Sequence, residues 1–387
     1  MKSLGVLLAC CFVLTSTAQK PIDTIATKAG RYDIPIRIKL PKKATGKSPV
    51  YFFVHGGGWN GGDAMHVPPA GLHNDANYLA DQLGVIYVGL AYRCKGNNAT
   101  FSDAIEDLEA SVQWFFDNAE NYNADITRIG FGGASAGSTL AAIMAQKYKN
   151  CKLLVGAEGM YNLVEHSEER SLFPNQKARE VYGLATENES KKASAYYNLS
   201  ENPPNTLLIH GDADVLCHYT QSIKFAEKIK SQGGNAKVLL HKDINHTTLN
   251  PSIPDVFKES ILEIATLFID GFKLNKNTNS LKNLLHKRLE NQYASTEINE
   301  SKLVGSWIRL QTKIVLKKDG KGFSENLKTN KRHEFNYSFT NDDIKIVMNN
   351  SSKVKIFKLK KDTNFICEHI KEGKRIHRRF LYKKLKF

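Results

Sequence analysis

Short apolar segments alternate with longer segments of helical periodicity between residues 32 and 272. The first short segment, 32–40, alternates apolar and polar residues, as a half-buried strand does. Six later segments are continuously apolar, which is typical of strands buried on both faces of a parallel sheet: 50–54, 85–90, 128–131, 153–155, 206–209 and 238–240. This alternation predicts an α/β fold, a mostly parallel sheet with helices on both faces.

Four segments between these strands have helical periodicity: 103–118, 137–148, 219–231 and 255–272. In the first of them, one apolar stripe contains Leu108 and Phe115, and Ser102 is a candidate N-cap. Segment 161–205 interrupts the alternation because it is polar, irregular and contains three prolines. We expect this segment to form a cap insertion.

From residue 303 the pattern changes to short alternating strands that are separated by turn sequences. Seven segments have this pattern: 307–315, 321–327, 334–340, 344–347, 354–359, 365–370 and 375–382. They predict a small C-terminal antiparallel barrel or sandwich, in which Trp307 is expected to be a core aromatic. The predicted domains are therefore 19–272 and 301–387, with a polar linker at 273–300.

The N-terminus has the order of a signal peptide. Lys2 precedes an apolar run at 4–14, and small residues follow at 16–18. We expect residues 1–18 to be a signal peptide, which makes the protein secreted or periplasmic. A weak lipoprotein cleavage box at Cys10 offers lipid anchoring as the second choice.

Charge separates the two predicted domains more clearly than overall composition does. The 387 residues are 41% hydrophobic and 24% charged, which excludes a wholly disordered chain. Residues 273–387 contain 28 lysines and arginines against 11 acidic residues, whereas residues 1–272 carry a net charge of −2. An anionic glycan or the cell envelope is a candidate partner for the basic domain, with a merely solubilising surface as the equal alternative. Nucleic acid is not expected as a partner after export.

Four cysteines remain after the predicted signal peptide, and none has metal-ligand spacing: Cys94, Cys151, Cys217 and Cys367. One disulfide is compatible with export, but the sequence does not choose among the pairings, and we expect free, mostly buried thiols. Neither a metal nor an organic cofactor is expected.

A Gly-x-Ser-x-Gly pentapeptide at 133–137 lies between a predicted strand and an alanine-rich helix. A serine in such a tight turn presents its hydroxyl group, and small flanking residues allow strand and helix to pack closely. Ser135 is therefore the candidate nucleophile. The amide of Ala136, at the N-terminus of the helix, is a candidate donor to an oxyanion.

A second glycine motif, His-Gly-Gly-Gly-Trp at 55–59, follows another predicted strand. Glycines leave the backbone N–H groups unobstructed, so Gly56 and Gly57 are further oxyanion donors. Trp59 is a candidate substrate contact, whereas His55 is expected to hold the loop.

A candidate acid and a candidate base follow the last two predicted strands of the first domain. Asp214 is the candidate acid, with Asp212 as its rival, and His246 is the candidate base, with His241 as its rival. The chain order Ser, Asp, His at successive strand ends is that of an α/β-hydrolase.

Five motifs together resemble one class of α/β-hydrolases: 54–59, Tyr92-Arg93, 103–107, Arg128-Ile129 and 133–137. This class is the hormone-sensitive-lipase-like one, and the chain is most similar to its bacterial carboxylesterase and feruloyl- or acetyl-xylan-esterase-like branch. The resemblance covers about residues 30–272. It implies a serine esterase with Ser135, Asp214 and His246 as its triad, with Asp107 as a structural residue. Ser138 departs from the family, which often has glycine there.

The sequence thus predicts an exported esterase that removes short or aromatic acyl groups from carbohydrates. A serine peptidase is the alternative enzyme, since the same triad cleaves amides. A non-catalytic binding protein on the same scaffold is the alternative from another class. The C-terminal domain, which opens with a Gly-x-Trp strand, is similar to lipocalin-like bacterial β domains.

Overall fold

The computed structural model describes residues 21–42, 44, 46–61, 80–165, 179–180, 182–246, 248–249, 254–277, 279–283, 303–309, 312–340 and 344–348, and the backbone of 354–359, 365–372 and 375–384. The predicted signal peptide at 1–18, with Cys10, lies outside these residues. Within them, no helix has both the length and the apolar character that crossing a bilayer requires.

An eight-stranded, mostly parallel sheet forms the first domain. Its strands are β1 (Ile22–Ala29), β2 (Tyr32–Lys39), β3 (Ser48–Val54), β4 (Ile86–Leu90), β5 (Ala124–Ala134), β6 (Cys151–Ala157), β7 (Asn205–Gly211) and β8 (Ala236–His241). Across the sheet their order is β1-β2-β4-β3-β5-β6-β7-β8. Strand β2 pairs antiparallel with β1 and β4, and the remaining pairs are parallel. The carboxyl ends of β5 to β8 consequently meet at one edge of the sheet.

The α-helices whose bounds the structure describes in full are α1 (Phe101–Asp117), α2 (Ala136–Lys147), α3 (Glu187–Lys192), α4 (Thr220–Ser231) and α5 (Pro254–Phe272). Short 3-10 helices lie at Lys95–Asn97, Ala119–Tyr122 and Ala195–Tyr197. Phe52 of β3 joins one apolar core with α1, α2 and α4, while its neighbour Phe53 joins a second core with α5. Successive side chains of a strand point to opposite faces, so the predicted arrangement of helices on both faces is confirmed.

Two local features differ from the sequence-based expectation. Strand β1 was not predicted, because it is an edge strand that pairs only with β2 and has mostly exposed or half-buried side chains. Helix α1 begins after Thr100, not Ser102. The Thr100 hydroxyl accepts a bond from the Asp103 amide, and the Asp103 carboxylate accepts one from the Thr100 amide, which is a capping box.

The second domain is a closed barrel of eight antiparallel strands, which confirms the predicted barrel-or-sandwich class. They are β9 (Gly305–Arg309), β10 (Thr312–Leu316), β11 (Lys321–Asn326), β12 (Arg332–Phe339), β13 (Ile344–Met348), β14 (Val354–Leu359), β15 (Phe365–Glu372) and β16 (Arg375–Lys384). The single predicted strand 307–315 was wrong, since Arg309 pairs with Thr312 in a hairpin. Only Leu310 and Gln311 separate the two strands, and neither residue is a turn signal.

Trp307 lies in the core of the barrel, as predicted. Its side chain is fully buried, and its indole N–H donates to the carbonyl oxygen of Leu303 at 3.0 Å. The likeness to lipocalin-like domains stays a prediction. The predicted domain boundaries also stay predictions, because residues 284–302 lie outside the described residues.

Candidate active site

Ser135 lies in a strained turn between β5 and α2. Its backbone has φ 56° and ψ −127°, a conformation that costs a non-glycine residue free energy. The Ser135 amide donates to the carbonyl oxygen of Ala157 at 2.8 Å, which ties the turn to β6. A Cβ atom at Gly137 would lie 2.2 Å from the carbonyl oxygen of Val54, so only glycine fits there. Close packing thus holds the serine in its strained conformation.

The candidate acid and base lie in direct contact. Nδ1 of His246 is 2.7 Å from Oδ2 of Asp214. The other carboxylate oxygen of Asp214 accepts bonds from the amides of Leu216 and Cys217, at 2.8 and 3.0 Å. These bonds fix the carboxylate in one orientation, with one oxygen facing the imidazole ring.

The two rival residues point elsewhere. Asp212 accepts a bond of 2.5 Å from the amide of Asp243, which fits the turn-capping role considered for it. Nε2 of His241 lies 2.9 Å from the hydroxyl of Ser260 on α5. Neither side chain contacts His246, so the geometry favours Asp214 and His246.

His210 is a further histidine at the acid, and its contact was not predicted from the sequence. It is fully buried, its Nε2 lies 3.1 Å from Oδ2 of Asp214, and its Nδ1 lies 2.8 Å from the hydroxyl of Ser222. The signal in the sequence was that His210 lies four residues before Asp214, near the end of strand β7. His210 helps to orient the carboxylate.

Electrostatics separates the pKa values of the acid and the base. Burial favours the neutral form of Asp214, but bonds from His210 and His246 outweigh it and hold the pKa of the carboxyl well below its usual range. Burial lowers the pKa of His246. The charge of Glu158, together with the hydrogen bond and charge of Asp214, raises this pKa by a larger amount, so that it reaches about 9. The ring therefore holds its proton more tightly than a free imidazole does, beside an acid that is kept ionised.

Two of the three predicted oxyanion donors line a pocket together with Ser135. Gly57 and Ala136 line the same pocket as Ser135. Gly56 packs behind the turn, where an added Cβ would lie 2.8 Å from the carbonyl oxygen of Ala134. Gly57 has φ 135°, which a side chain would disfavour.

His55 is held within the glycine loop, in keeping with the expected structural role. Its ring stacks on Tyr92 with centroids 4.4 Å apart, and its carbonyl oxygen accepts a bond of 3.0 Å from the Tyr92 hydroxyl. These contacts fix where the glycine loop starts.

Ser135 and His246 line an apolar pocket of about 410 Å³, whereas Asp214 and Gly56 are not among its lining residues. Its lining residues are Gly57, Gly58, Trp59, Asn60, Ser135, Ala136, Met160, Leu216, Cys217 and His246. The sequence did not single out Met160 or Leu216, because each follows a strand end as one apolar residue in an irregular loop. Nε2 of His246, the nitrogen opposite Asp214, has no hydrogen-bond partner among the described residues.

Trp59 lines this pocket but is only 3% exposed. Its ring packs edge-on against Tyr182, with centroids 4.4 Å apart. Tyr182 belongs to the expected cap insertion 161–205, of which the structure describes 161–165, 179–180 and 182–205. Part of this segment therefore packs against a side chain that lines the pocket.

Two family positions have structural contacts. Asp107 is buried and accepts bonds from the guanidinium group and the amide of Arg93, the latter at 2.8 Å. The hydroxyl of Ser138 lies 2.9 Å from that of Tyr161, so this departure from glycine adds a buried hydrogen bond.

Three of the four cysteines expected after the signal peptide are free and buried, as predicted: Cys94, Cys151 and Cys217. The side chain of Cys367 lies outside the described residues. In the described ranges, no three His, Cys, Asp or Glu side chains are grouped so that they could hold a metal ion.

Curated proteins match parts of the chain. Carboxylesterase NlhH of Mycobacterium tuberculosis is 35% identical over 118 residues, 30% of this chain and 35% of that protein. Bovine (Bos taurus) arylacetamide deacetylase is 36% identical over 119 residues, 30% of this chain and 29% of that protein. A probable isoprenylcysteine alpha-carbonyl methylesterase of Arabidopsis thaliana is 27% identical over 241 residues, 54% of this chain and 48% of that protein. The chain thus spans between about a third and a half of these relatives.

The fold also matches a solved structure, and a family model matches the sequence. Esterase 2 of Thermogutta terrifontis, phosphonylated by sarin, superposes with a TM-score of 0.59 at 18% identity, over 67% of this chain and 98% of that one. The BD-FAE family model matches residues 36–229, half of the chain. The chain therefore belongs to the BD-FAE family of α/β-hydrolases.

Proposed function

We propose that this protein is a serine hydrolase of carboxylic esters. The observation that carries the proposal is the contact of 2.7 Å between Asp214 and Nδ1 of His246, whose ring lines a pocket together with Ser135 in its strained turn. An ionised acid, an imidazole base and a hydroxyl that lines the pocket are the parts that nucleophilic acyl transfer needs. The names of the curated relatives, a carboxylesterase, a deacetylase and a methylesterase, support the same chemistry.

The proposed reaction has two halves. The oxygen of Ser135 attacks the ester carbonyl carbon while Nε2 of His246 takes the serine proton. Asp214 keeps the other proton on Nδ1 and stabilises the imidazolium ion. The ring then protonates the departing alcohol, which leaves an acyl-enzyme. Water, deprotonated by the same ring, attacks this ester and releases the carboxylic acid.

The oxyanion formed in each half is assigned to the backbone amides around the serine, those of Gly56, Gly57 and Ala136. Loss of one such donor typically costs about 10²–10³ in rate. Gly57 and Ala136 line the pocket itself, which makes them the stronger pair of candidates.

The pocket supports a short or aromatic acyl group as the substrate's acid half. A volume of about 410 Å³ enclosed by Trp59, Met160 and Leu216 suits a small apolar group more than a long chain. We assign the alcohol half to a carbohydrate, in line with an exported enzyme. The basic C-terminal domain would then hold an anionic glycan or the cell envelope.

We predict a steep preference among nitrophenyl esters of increasing acyl length. Acetate and butyrate esters are expected to be hydrolysed with kcat/KM at least about 10-fold higher than that of the dodecanoate ester, because a short acyl group fits beside Ser135 without the ordering that a long, flexible chain requires. Steady-state kinetics on purified protein measures this ratio. Acetylated and feruloylated xylo-oligosaccharides form the second half of the panel.

Aminoacyl and peptidyl nitroanilides serve as the control substrates. The proposal expects their hydrolysis to be far slower than that of the acetate ester. Faster cleavage of the nitroanilides would make the protein a peptidase instead. Equal rates for all acyl lengths would show that the pocket does not select the acyl group.

A further inference from the structure

Glu158 is a buried carboxylate at the edge of the sheet where the candidate catalytic residues meet. It directly follows β6, only 5% of it is exposed, and its amide donates to the carbonyl oxygen of Ile209 at 2.9 Å. Its φ of 54° lies in the left-handed region, which is unfavourable for glutamate. The chain thus keeps a charged residue in a strained and buried position.

The contacts of Glu158 point to His246. One carboxylate oxygen accepts a bond from the amide of Thr248, and the other lies 3.9 Å from Nε2 of the ring. Among the residues that the structure describes, Glu158 forms no ion pair with a lysine or an arginine. A buried carboxylate without a cation is costly, so the protonated ring of His246 is the partner that this site offers.

The ring therefore lies between two carboxylates. Asp214 faces Nδ1, and Glu158 faces Nε2, the nitrogen that must take the proton of Ser135. Two further titratable side chains lie near the ring in the described part of the chain, Cys217 and His210. Burial raises the pKa of the Cys217 thiol, which keeps it protonated, and His210 contacts Asp214, not the ring.

We propose that Glu158 is a second acid of the relay, a positioning residue that stabilises the protonated ring from its Nε2 side and thereby sets the pH range of catalysis. This inference rests on the proposed ester hydrolysis. It goes beyond the triad because the carboxylate acts on the opposite nitrogen from Asp214.

Two effects of opposite sign follow from this placement. Glu158 stabilises the imidazolium ion that forms when Ser135 loses its proton, which speeds the reaction once the resting ring is neutral. The same charge keeps the resting ring protonated and inactive at lower pH. The pKa of His246 is about 9, because Glu158 and Asp214 raise it against the effect of burial. This value agrees with both effects.

The variant Glu158→Gln separates these two effects. Its amide oxygen still accepts the Thr248 bond, but the charge is gone. We expect the pKa of His246 and the acid limb of kcat/KM to fall by about one to three pH units, as removal of a charge at this distance implies. Because a weaker base is a slower one, the alkaline plateau should fall roughly 10-fold. For any fall in pKa greater than one unit, the variant is then faster than wild type near pH 6, and it is slower near pH 10.

Two measurements on the full chain follow the ring and the reaction. Histidine NMR, with the His246 signal assigned from a His246→Asn variant, gives the ring pKa without any need for activity. Profiles of kcat/KM against pH with nitrophenyl acetate give the acid limb. Asp212→Asn, which removes the same charge two residues before Asp214, is the matched control and should leave both values within about 0.3 units.

The outcomes separate this inference from the proposed function. A ring pKa unchanged in Glu158→Gln, or a rate lowered equally at every pH, would overturn the role of Glu158 while leaving ester hydrolysis intact. Wild-type protein without esterase activity would overturn the proposed function, and the NMR titration would still decide the effect of Glu158 on the ring. If Glu158→Gln does not fold, Glu158→Asp draws the carboxylate away from Nε2. A smaller downward shift is expected, and no shift would contradict the proposal.

Discussion

Replacement of Ser135 by alanine is expected to lower kcat for nitrophenyl acetate by a factor on the order of 10⁴ or more. The hydroxyl is the only protein group in the proposed reaction that bonds to the acyl carbon, so its loss removes the acyl-enzyme route altogether. What remains is the effect of the oxyanion donors and of binding on direct attack by water. Steady-state rates of the purified variant, with KM measured separately, give this number.

Ser138→Ala is the control for this experiment. Ser138 is a buried serine three residues away, and its loss removes one hydrogen bond to Tyr161 without touching the pocket. Its rate should stay within about 5-fold of wild type. Similar rates for Ser135→Ala and wild type would refute Ser135 as the nucleophile.

Asp214→Asn is expected to produce the second largest loss, about 10⁴-fold in kcat near neutral pH. The amide side chain keeps the shape of the carboxylate and still accepts bonds from the amides of Leu216 and Cys217. It can, however, donate to Nδ1 of His246, which places the ring proton on Nε2 and leaves no base for Ser135. Rates measured between pH 6 and 10, together with a thermal unfolding curve, separate this effect from a loss of folding.

The matched variant is Asp212→Asn in the same loop. Asp212 bonds to the amide of Asp243 and does not reach the ring, so we expect its variant to retain the wild-type rate within about 3-fold. If Asp212→Asn were the slower of the two, the acid would have been assigned to the wrong residue.

The sequence predicted the central sheet because its strands are short, continuous apolar runs with helical segments between them. Such runs mark β3 to β8 without reference to contacts. Strand β1 lacks this signal, since an edge strand with exposed side chains has no apolar pattern to show. Strands β9 and β10 were predicted as one strand because the two residues between them in the sequence, Leu310 and Gln311, are not turn signals.

In the candidate site, too, some features were predictable from the sequence and others were not. Ser135, Asp214 and His246 were accessible from the sequence because glycine motifs and strand ends mark where they lie. The surroundings of the ring were not, because Glu158 reaches His246 only through the packing of separate loops after β6 and β8. His210 was visible in the motif of the acid, but its bond to Asp214 depends on side-chain orientation. The local sequence pattern locates the candidate residues along the chain. The burial of these residues and the charges around them depend on contacts between loops that are distant in the sequence.

Labelling with a fluorophosphonate tests whether Ser135 is the nucleophile, since this reagent forms a covalent bond with a serine that a base activates. Intact mass and peptide mapping of the wild-type protein are expected to show one adduct, on the peptide that contains Ser135. Labelling should be lost in Ser135→Ala and slowed strongly in His246→Asn. No adduct on the wild-type protein, or an adduct on another residue, would contradict nucleophilic catalysis by Ser135.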